Sequence, residues 1–308
     1  MQWKWELDSR LRYSWGMGNL PFDFAVENFP LAGASLYKVG GPAKLALLPR
    51  TRAEAVEAFA WLCTQDLPKI VLGGGSNVLI ADEGFPGIVI FTNELKALQA
   101  LGDGRFFVEG GVVLDTLVRE VIIANNYVGT GALTGIPGTV GGAIYMNAGT
   151  VNGSICELMD SVDVLTEEGL RTVQMEPSLY SYRDQGFCPP SGLILAGSFR
   201  FEKAEEDQQA IYDRYIERRR RTQPQGNSCG SVFKNPEGEH AGRLIESCGL
   251  KGTRHGGAVI SEMHANFIVN DSGATCADIL ELIELCKRRV REEFGIELQE
   301  EVKIFGAR

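Results

Sequence analysis

Residues 133–149, LTGIPGTVGGAIYMNAG, place five glycines and one proline in seventeen positions without a single charged side chain. A stretch so poor in Cβ atoms cannot sustain a long regular helix or fill a core. It can instead bring its backbone against a large flat ligand, with N–H groups turned to phosphate oxygens. A second run, Val71 to Asn77 (VLGGGSN), makes the same offer about sixty residues earlier, after an apolar stretch, Lys69 to Leu72, that reads as a strand. Either run alone is equally well a tight turn. The pair points to one extended, diphosphate-containing cofactor.

At 308 residues the chain is long enough for two or three domains and for cores that need no metal or disulfide staple. Lys plus Arg is 30 against 40 for Asp plus Glu, and the net charge of −10 argues against a general nucleic-acid binder. The seven cysteines are odd in number and show no C-x-x-C spacing, which predicts free thiols in a reducing compartment and no zinc site. The N-terminus is broken by charges, and no segment approaches a membrane-spanning length. These features predict a soluble, cytoplasmic protein with no metal and no membrane partner.

Residues 1–32 hold Trp3, Trp5 and Trp15 and are expected to form an N-terminal arm packed on the body. Thr51 to Glu54 fits a capping box that opens a helix running to about Cys63. Phe106 to Val113 reads as a strand pair, and Leu114, Leu117, Val118, Val121 and Ile122 have helical spacing. Strands follow at 161–165, 172–175 and 193–201, then a polar helix across 202–221. The remaining hundred or so residues form an α+β unit. Its predicted elements are a helix at 241–248, a strand at 265–270, a helix at 275–294 stopped by Gly295, and a strand at 302–305. The fold class is α+β, without the regular alternation of a doubly wound sheet.

Neither a Rossmann G-x-G-x-x-G nor a P-loop occurs in the required context. Tyr182-Arg183 lies in a polar loop between strands, where an arginine can fork two hydrogen bonds to a carboxylate. The segment Gly230 to Pro236 (GSVFKNP) sets the hydroxyl of Ser231 close to Lys234 and Asn235, without the elbow of a hydrolase. The three histidines are scattered, so a His-centred triad has no support; His264 and Asn266 suit a pocket wall or a structural role. Glu301 stands at a strand entrance, where burial would make it an acid. Arg218 to Arg221 reads as a solvated helix face.

In order, Val39–Pro42, Gly73–Asn77, Gly135–Gly142, Met146–Gly149, Ser181–Arg183, Gly230–Pro236, Gly249–Gly252, His264–Phe267 and Glu301-Val302 closely resemble the UDP-N-acetylenolpyruvoylglucosamine reductases, the MurB family of peptidoglycan synthesis. The resemblance spans residues 33–306. It implies an FAD-binding domain of the p-cresol methylhydroxylase (PCMH) type at 33–202, made of two small α+β lobes, and a substrate-binding α+β domain at 203–308. By this resemblance FAD is held non-covalently by Gly73, Gly74, Gly75, Ser76 and Asn77 and by Gly135, Pro137, Gly138, Thr139, Gly141, Gly142 and Asn147.

The family reaction implies NADPH as reductant of FAD, then hydride transfer from the flavin to the enolpyruvyl group of the UDP-sugar. Motif position makes Ser231 the proton donor, Arg183 the holder of the substrate carboxylate and Glu301 the stabiliser of the developing enolate. Tyr182, Lys234, Asn235, His264 and Asn266 fall at substrate-binding positions. The chain departs from the family in three places. Glu300 replaces a proline commonly found before the glutamate, Cys229 replaces a small residue and suggests sensitivity to thiol reagents, and the Arg183–Ser231 interval is short, as in the subgroup without a tyrosine-bearing loop. Two rival functions remain at this stage. One is another FAD-dependent oxidase or dehydrogenase of the same fold, and the other is a flavin- or nucleotide-sugar-binding regulator without turnover.

Overall fold

In the computed structural model, which describes residues 20–306, β1 (Ala25–Pro30) runs antiparallel to β2 (Pro42–Leu47). Residues Ala25–Pro30 of the predicted arm are therefore an edge strand, while Trp3, Trp5 and Trp15 lie outside the described residues. Helix α1 (Arg52–Cys63) starts at the expected capping box: the Glu54 N–H donates to Thr51 Oγ1 at 3.2 Å. It buries Ala55, Ala58, Phe59 and Leu62, a stripe at helical spacing. Strand β3 (Lys69–Leu72) feeds the first glycine run, β4 (Val78–Ile80) leaves it, and β5 (Phe85–Phe91) pairs parallel with both β2 and β3. The sheet order is β1-β2-β5-β3.

A hairpin, β6 (Leu98–Gly102) and β7 (Arg105–Glu109), begins the second sheet. The predicted strand pair at 106–113 is thus a single strand whose partner precedes it, because Gly110 and Gly111 turn the chain into the next helix. That helix opens as α2 (Leu114–Thr116) and widens into π turns over Leu117–Ile123, burying Leu117, Val118, Val121 and Ile122 as their spacing requires. The second glycine run follows between α3 (Thr130–Leu133) and α4 (Val140–Tyr145), then the short hairpin β8 (Gly149–Thr150) and β9 (Gly153–Ser154). Strands β10 (Met159–Thr166) and β11 (Gly169–Gln174), the tight hairpin β12 (Tyr180–Ser181) and β13 (Asp184–Gln185), and β14 (Leu193–Arg200) complete this part. The five-stranded order is β11-β10-β14-β7-β6, with α4 against β14.

Helix α5 (Gln208–Thr222) packs back on the second sheet's core through Tyr212 and Ile216. Beyond it come α6 (Ala241–Ser247), the small sheet β15 (Arg254–His255), β16 (Ala258–Ile260) and β17 (Ile268–Asn270), and α7 (Cys276–Phe294), capped by Thr275 and ended by left-handed Gly295. The final strand, β18 (Lys303–Phe305), does not join that sheet and pairs in parallel with β4 instead. The C-terminal part is bound to the first lobe at further points. Asn270 Nδ2 donates to the Tyr37 carbonyl at 2.8 Å, and Asp82 accepts from the N–H groups of Cys276 and Ala277 at the start of α7. Among the described residues no helix is long and apolar enough to cross a membrane.

Candidate active site

The three parts meet around a cavity of about 1170 Å³. That exceeds the roughly 300–1,000 Å³ usual for one small-molecule ligand, so it has room for a large cofactor beside a second ligand. One wall is made by the two glycine runs, which touch. A Cβ built on Gly73 would lie 2.3 Å from Thr139 Oγ1, and one on Gly74 would lie 3.0 Å from the Gly138 Cα. Only residues lacking a side chain allow two backbones to close on each other this way. Thr139 Oγ1 is buried among the described residues without a hydrogen-bond partner. An unmatched polar group beside a bare-backbone cradle fits a phosphate-bearing flavin cofactor.

The same cavity is lined by Arg183, Ser231 and Glu301. Ser231 sits at the head of a segment held from both sides. Val232 N–H donates to the Asn266 carbonyl at 2.9 Å, Phe233 N–H donates to Asn266 Oδ1 at 2.9 Å, and Asn266 Nδ2 donates to the Phe233 carbonyl at 2.8 Å. On the other side Glu301 N–H donates to the Val232 carbonyl at 2.8 Å and Lys234 N–H to the Gln299 carbonyl at 2.9 Å. Ser231 and Glu301, seventy positions apart in sequence, are thereby brought to one cavity. Asn77, which ends the first glycine run, donates from Nδ2 to the Glu301 carbonyl at 2.9 Å.

Arg183 occupies the tip of the β12–β13 hairpin with φ +56°, a backbone region that suits glycine or asparagine. Its Nε donates to Glu301 Oε1 at 2.9 Å and its Nη2 to the Gly149 carbonyl at 2.9 Å, and these bonds hold the strained turn. The Glu301 carboxyl is pushed above its ordinary range by burial, against the pull of Arg183, Lys234 and Lys303. Tyr182, half-exposed at the mouth, lies beside the Arg183 guanidinium, and its hydroxyl accepts from the Asn235 N–H at 3.4 Å. Asn235 Oδ1 in turn accepts from the first N–H of α6.

Gly73, Gly74, Gly75, Ser76, Asn77, Gly135, Pro137, Thr139, Gly141 and Gly142 all line the cavity, as do Tyr182, Arg183, Ser231, Asn235, His264 and Glu301. Gly138 backs Gly74. Three candidates do not line this cavity, although Asn266 lines a smaller one that shares Ser231, Asn235 and His264 with it. Asn147 is buried and spends its side chain on the Ser181 carbonyl and the Cys156 N–H, Asn266 spends both ends of its amide on Phe233, and Lys234 acts on Glu301 by its charge. His264 accepts from the Asn266 N–H through Nδ1, which places the proton of the neutral ring on Nε2, and burial lowers its pKa. Glu300 points elsewhere, into an ion pair with Lys287 at 2.8 Å. The Cys229 thiol donates to the Val78 carbonyl, and burial raises its pKa to about 12, so the expected thiol reactivity has no basis at this residue. Sequence reasoning missed Arg218, Arg219 and Lys303, which also line the cavity.

The family described as "FAD binding domain" matches residues 43–173, which take in both glycine runs. The family described as "UDP-N-acetylenolpyruvoylglucosamine reductase, C-terminal domain" matches residues 223–305, from just before Ser231 to just after Glu301. The UDP-N-acetylenolpyruvoylglucosamine reductase of Chloroflexus aggregans is 41% identical over 289 residues, covering 90% of this chain and 96% of that protein. The chain belongs to the UDP-N-acetylenolpyruvoylglucosamine reductase family. Within that family the enzyme of the same name from Enterococcus faecalis is 38% identical over 90% of this chain and 93% of its own length. The crystal structure of the reductase from Thermus caldophilus superposes with a TM-score of 0.77 at 35% identity, covering 91% of this chain and 98% of that one. Membership makes the fold the expected PCMH-type FAD-binding region joined to the reductase C-terminal domain, and it identifies FAD as the cofactor.

Proposed function

We propose that this protein reduces UDP-N-acetylenolpyruvoylglucosamine to UDP-N-acetylmuramate in the cytoplasm, with NADPH as the source of electrons, for peptidoglycan precursor synthesis. Residues 33–202 hold the cofactor and residues 203–308 supply the proton donor and most substrate contacts. FAD, when bound, supplies the hydride chemistry. Arg183, fixed by Glu301 and Gly149, takes the substrate carboxylate. Addition of hydride to the terminal enolpyruvyl carbon leaves negative charge on the carbon bearing that carboxylate, and the Ser231 Oγ–H gives this carbon its proton. A hydroxyl is acid enough because the acceptor is strongly basic and close. Glu301, whose carboxyl pKa burial raises, donates a hydrogen bond, when protonated, to the charge delocalised on the carboxylate oxygens. Tyr182, Asn235 and His264 shape the sugar-nucleotide side of the site. Asn266 and Asn147 keep its loops in place.

The observation that carries this reading is that Arg183, Ser231 and Glu301 line the same cavity as the two glycine runs, with Arg183 paired to Glu301. The test is the visible spectrum of the purified protein. A flavin spectrum bleached anaerobically by NADPH and restored by UDP-N-acetylenolpyruvoylglucosamine is expected. A colourless protein that cannot be reconstituted with FAD, or a reduced flavin that the UDP-sugar leaves untouched, overturns it.

A further inference from the structure

The arginine run on α5 is not one solvated face. At 3.6 residues per turn Arg219 falls in line with Tyr212, Tyr215 and Ile216, the side of the helix that packs inward, whereas Arg220 and Arg221 are exposed. Its stem crosses Gly135. A Cβ built there would stand 2.5 Å from Arg219 Cδ and 2.8 Å from Nε, and Gly135 holds φ +71°. The second glycine run therefore leaves room at this point for an arginine side chain reaching into the cavity.

Four cations line that cavity, Arg183, Arg218, Arg219 and Lys303, against one acid, Glu301, which Arg183 already engages. Arg219 Nη1 donates to the neutral amide of Gln223 at 3.1 Å. Burial and the neighbouring positive charges of Arg183 and Arg218 all disfavour its charged form. A guanidinium withdrawn from water beside like charges is a cost that a docked anion offsets, and its fork matches phosphate oxygens.

We infer that Arg219 is a phosphate-binding residue of this cavity, donating to the diphosphate of a bound nucleotide through a gap that Gly135 leaves open. The inference rests on the reading that the cavity takes FAD and a UDP-sugar, each of which carries a diphosphate, and binding measurements separate the two sources.

Apo-protein is titrated with FAD and with phosphate-free riboflavin by flavin fluorescence, and FAD-loaded protein is titrated with UDP by the change in flavin absorbance. Arg219→Gln is expected to weaken one diphosphate ligand about ten- to a hundredfold, the range for a lost charge-assisted hydrogen bond, with Arg219→Lys in between. Weakened FAD with riboflavin little changed assigns the contact to the cofactor, and weakened UDP assigns it to the sugar nucleotide. Gln and Lys variants that bind both FAD and UDP within about twofold of wild type overturn the inference, as does an equal loss for FAD and riboflavin without any loss for UDP. Wild-type protein that takes up neither FAD nor UDP fails the functional reading itself, and this inference with it.

Discussion

Arg183 and Glu301 form an ion pair at 2.9 Å in which the arginine sits in a left-handed turn and the carboxyl is largely buried. The pair joins the β12–β13 hairpin to the segment that precedes β18, whose Glu301 backbone is held by Asn77 Nδ2 and by the Val232 carbonyl.

Arg183→Lys keeps the positive charge and removes the planar fork that spans Glu301 and Gly149. Flavin reduction by NADPH should persist, while reoxidation by the enolpyruvyl sugar falls by about a hundredfold, as for loss of a positioned charge-stabilising donor. Stopped-flow measurement of the two half-reactions checks it, and equal slowing of both would count against a substrate-holding role.

Ser231→Ala removes the hydroxyl without disturbing the bonds that hold 232–234, which are all made by other residues. The flavin should still be bleached by NADPH, with its recovery slowed by about 10²–10⁴-fold, the usual size of a lost proton donor. Normal turnover would remove Ser231 from the mechanism.

Glu301 gives a pH dependence whose sign follows from its raised pKa. The protonated form donates the hydrogen bond, so reoxidation should slow as pH rises through the folded-state pKa, which lies above the ordinary 4.5. Glu301→Gln, which can donate but cannot titrate, should be slower overall and lack that limb. An identical pH profile for both proteins would assign the limb to another group.

His264 contributes to stability in the opposite direction. Burial lowers its folded pKa below 6.5, so as pH falls through 6.5 the unfolded chain binds the proton first and stability is lost down to the folded value. Thermal melts of wild type and His264→Gln between pH 7.5 and about 5 should show a shallower decline for the variant. Parallel curves would mean that the ring titrates alike in both states.

Alkylation of the native protein should reach the half-buried Cys63 and Cys248 first and spare Cys229, Cys156, Cys188, Cys276 and Cys286, each with a pKa raised to about 12 by burial. Peptide mass spectrometry after a timed iodoacetamide pulse reads the order directly.

What the sequence made legible was local. Thr51 with Glu54, and Thr275 with Gly295, mark helix ends because capping is a contest among neighbouring backbone groups. The apolar spacing from Leu114 to Ile122 marks a buried face whether the turns are α or π. The cofactor wall was legible because missing side chains are visible as glycine. The partner of β18 was not, since a three-residue strand carries no signal of which edge it will join. Arg219 was hidden inside a run of like residues, where only the helical phase fixed by Tyr212 and Ile216 shows which arginine turns inward. The bonds of Asn266 to Phe233 were not legible either, since an amide on a pocket loop serves equally well to bind a ligand or to hold a neighbouring strand.

The parallel pairing of Lys303–Phe305 with Val78–Ile80 has a consequence for the order in which the molecule is made. During synthesis the glycine run at 73–77 emerges long before residues 301–305, yet Asn77 finds its partners, the Glu301 carbonyl and the Lys303 N–H, only after the later segment exists. A nascent chain can therefore expose this glycine run early, but the bonds of Asn77 to Glu301 and Lys303 close only once that segment has threaded home. Proteolytic loss of this short stretch would remove the glutamate together with the strand partner of β4 and both backbone partners of Asn77.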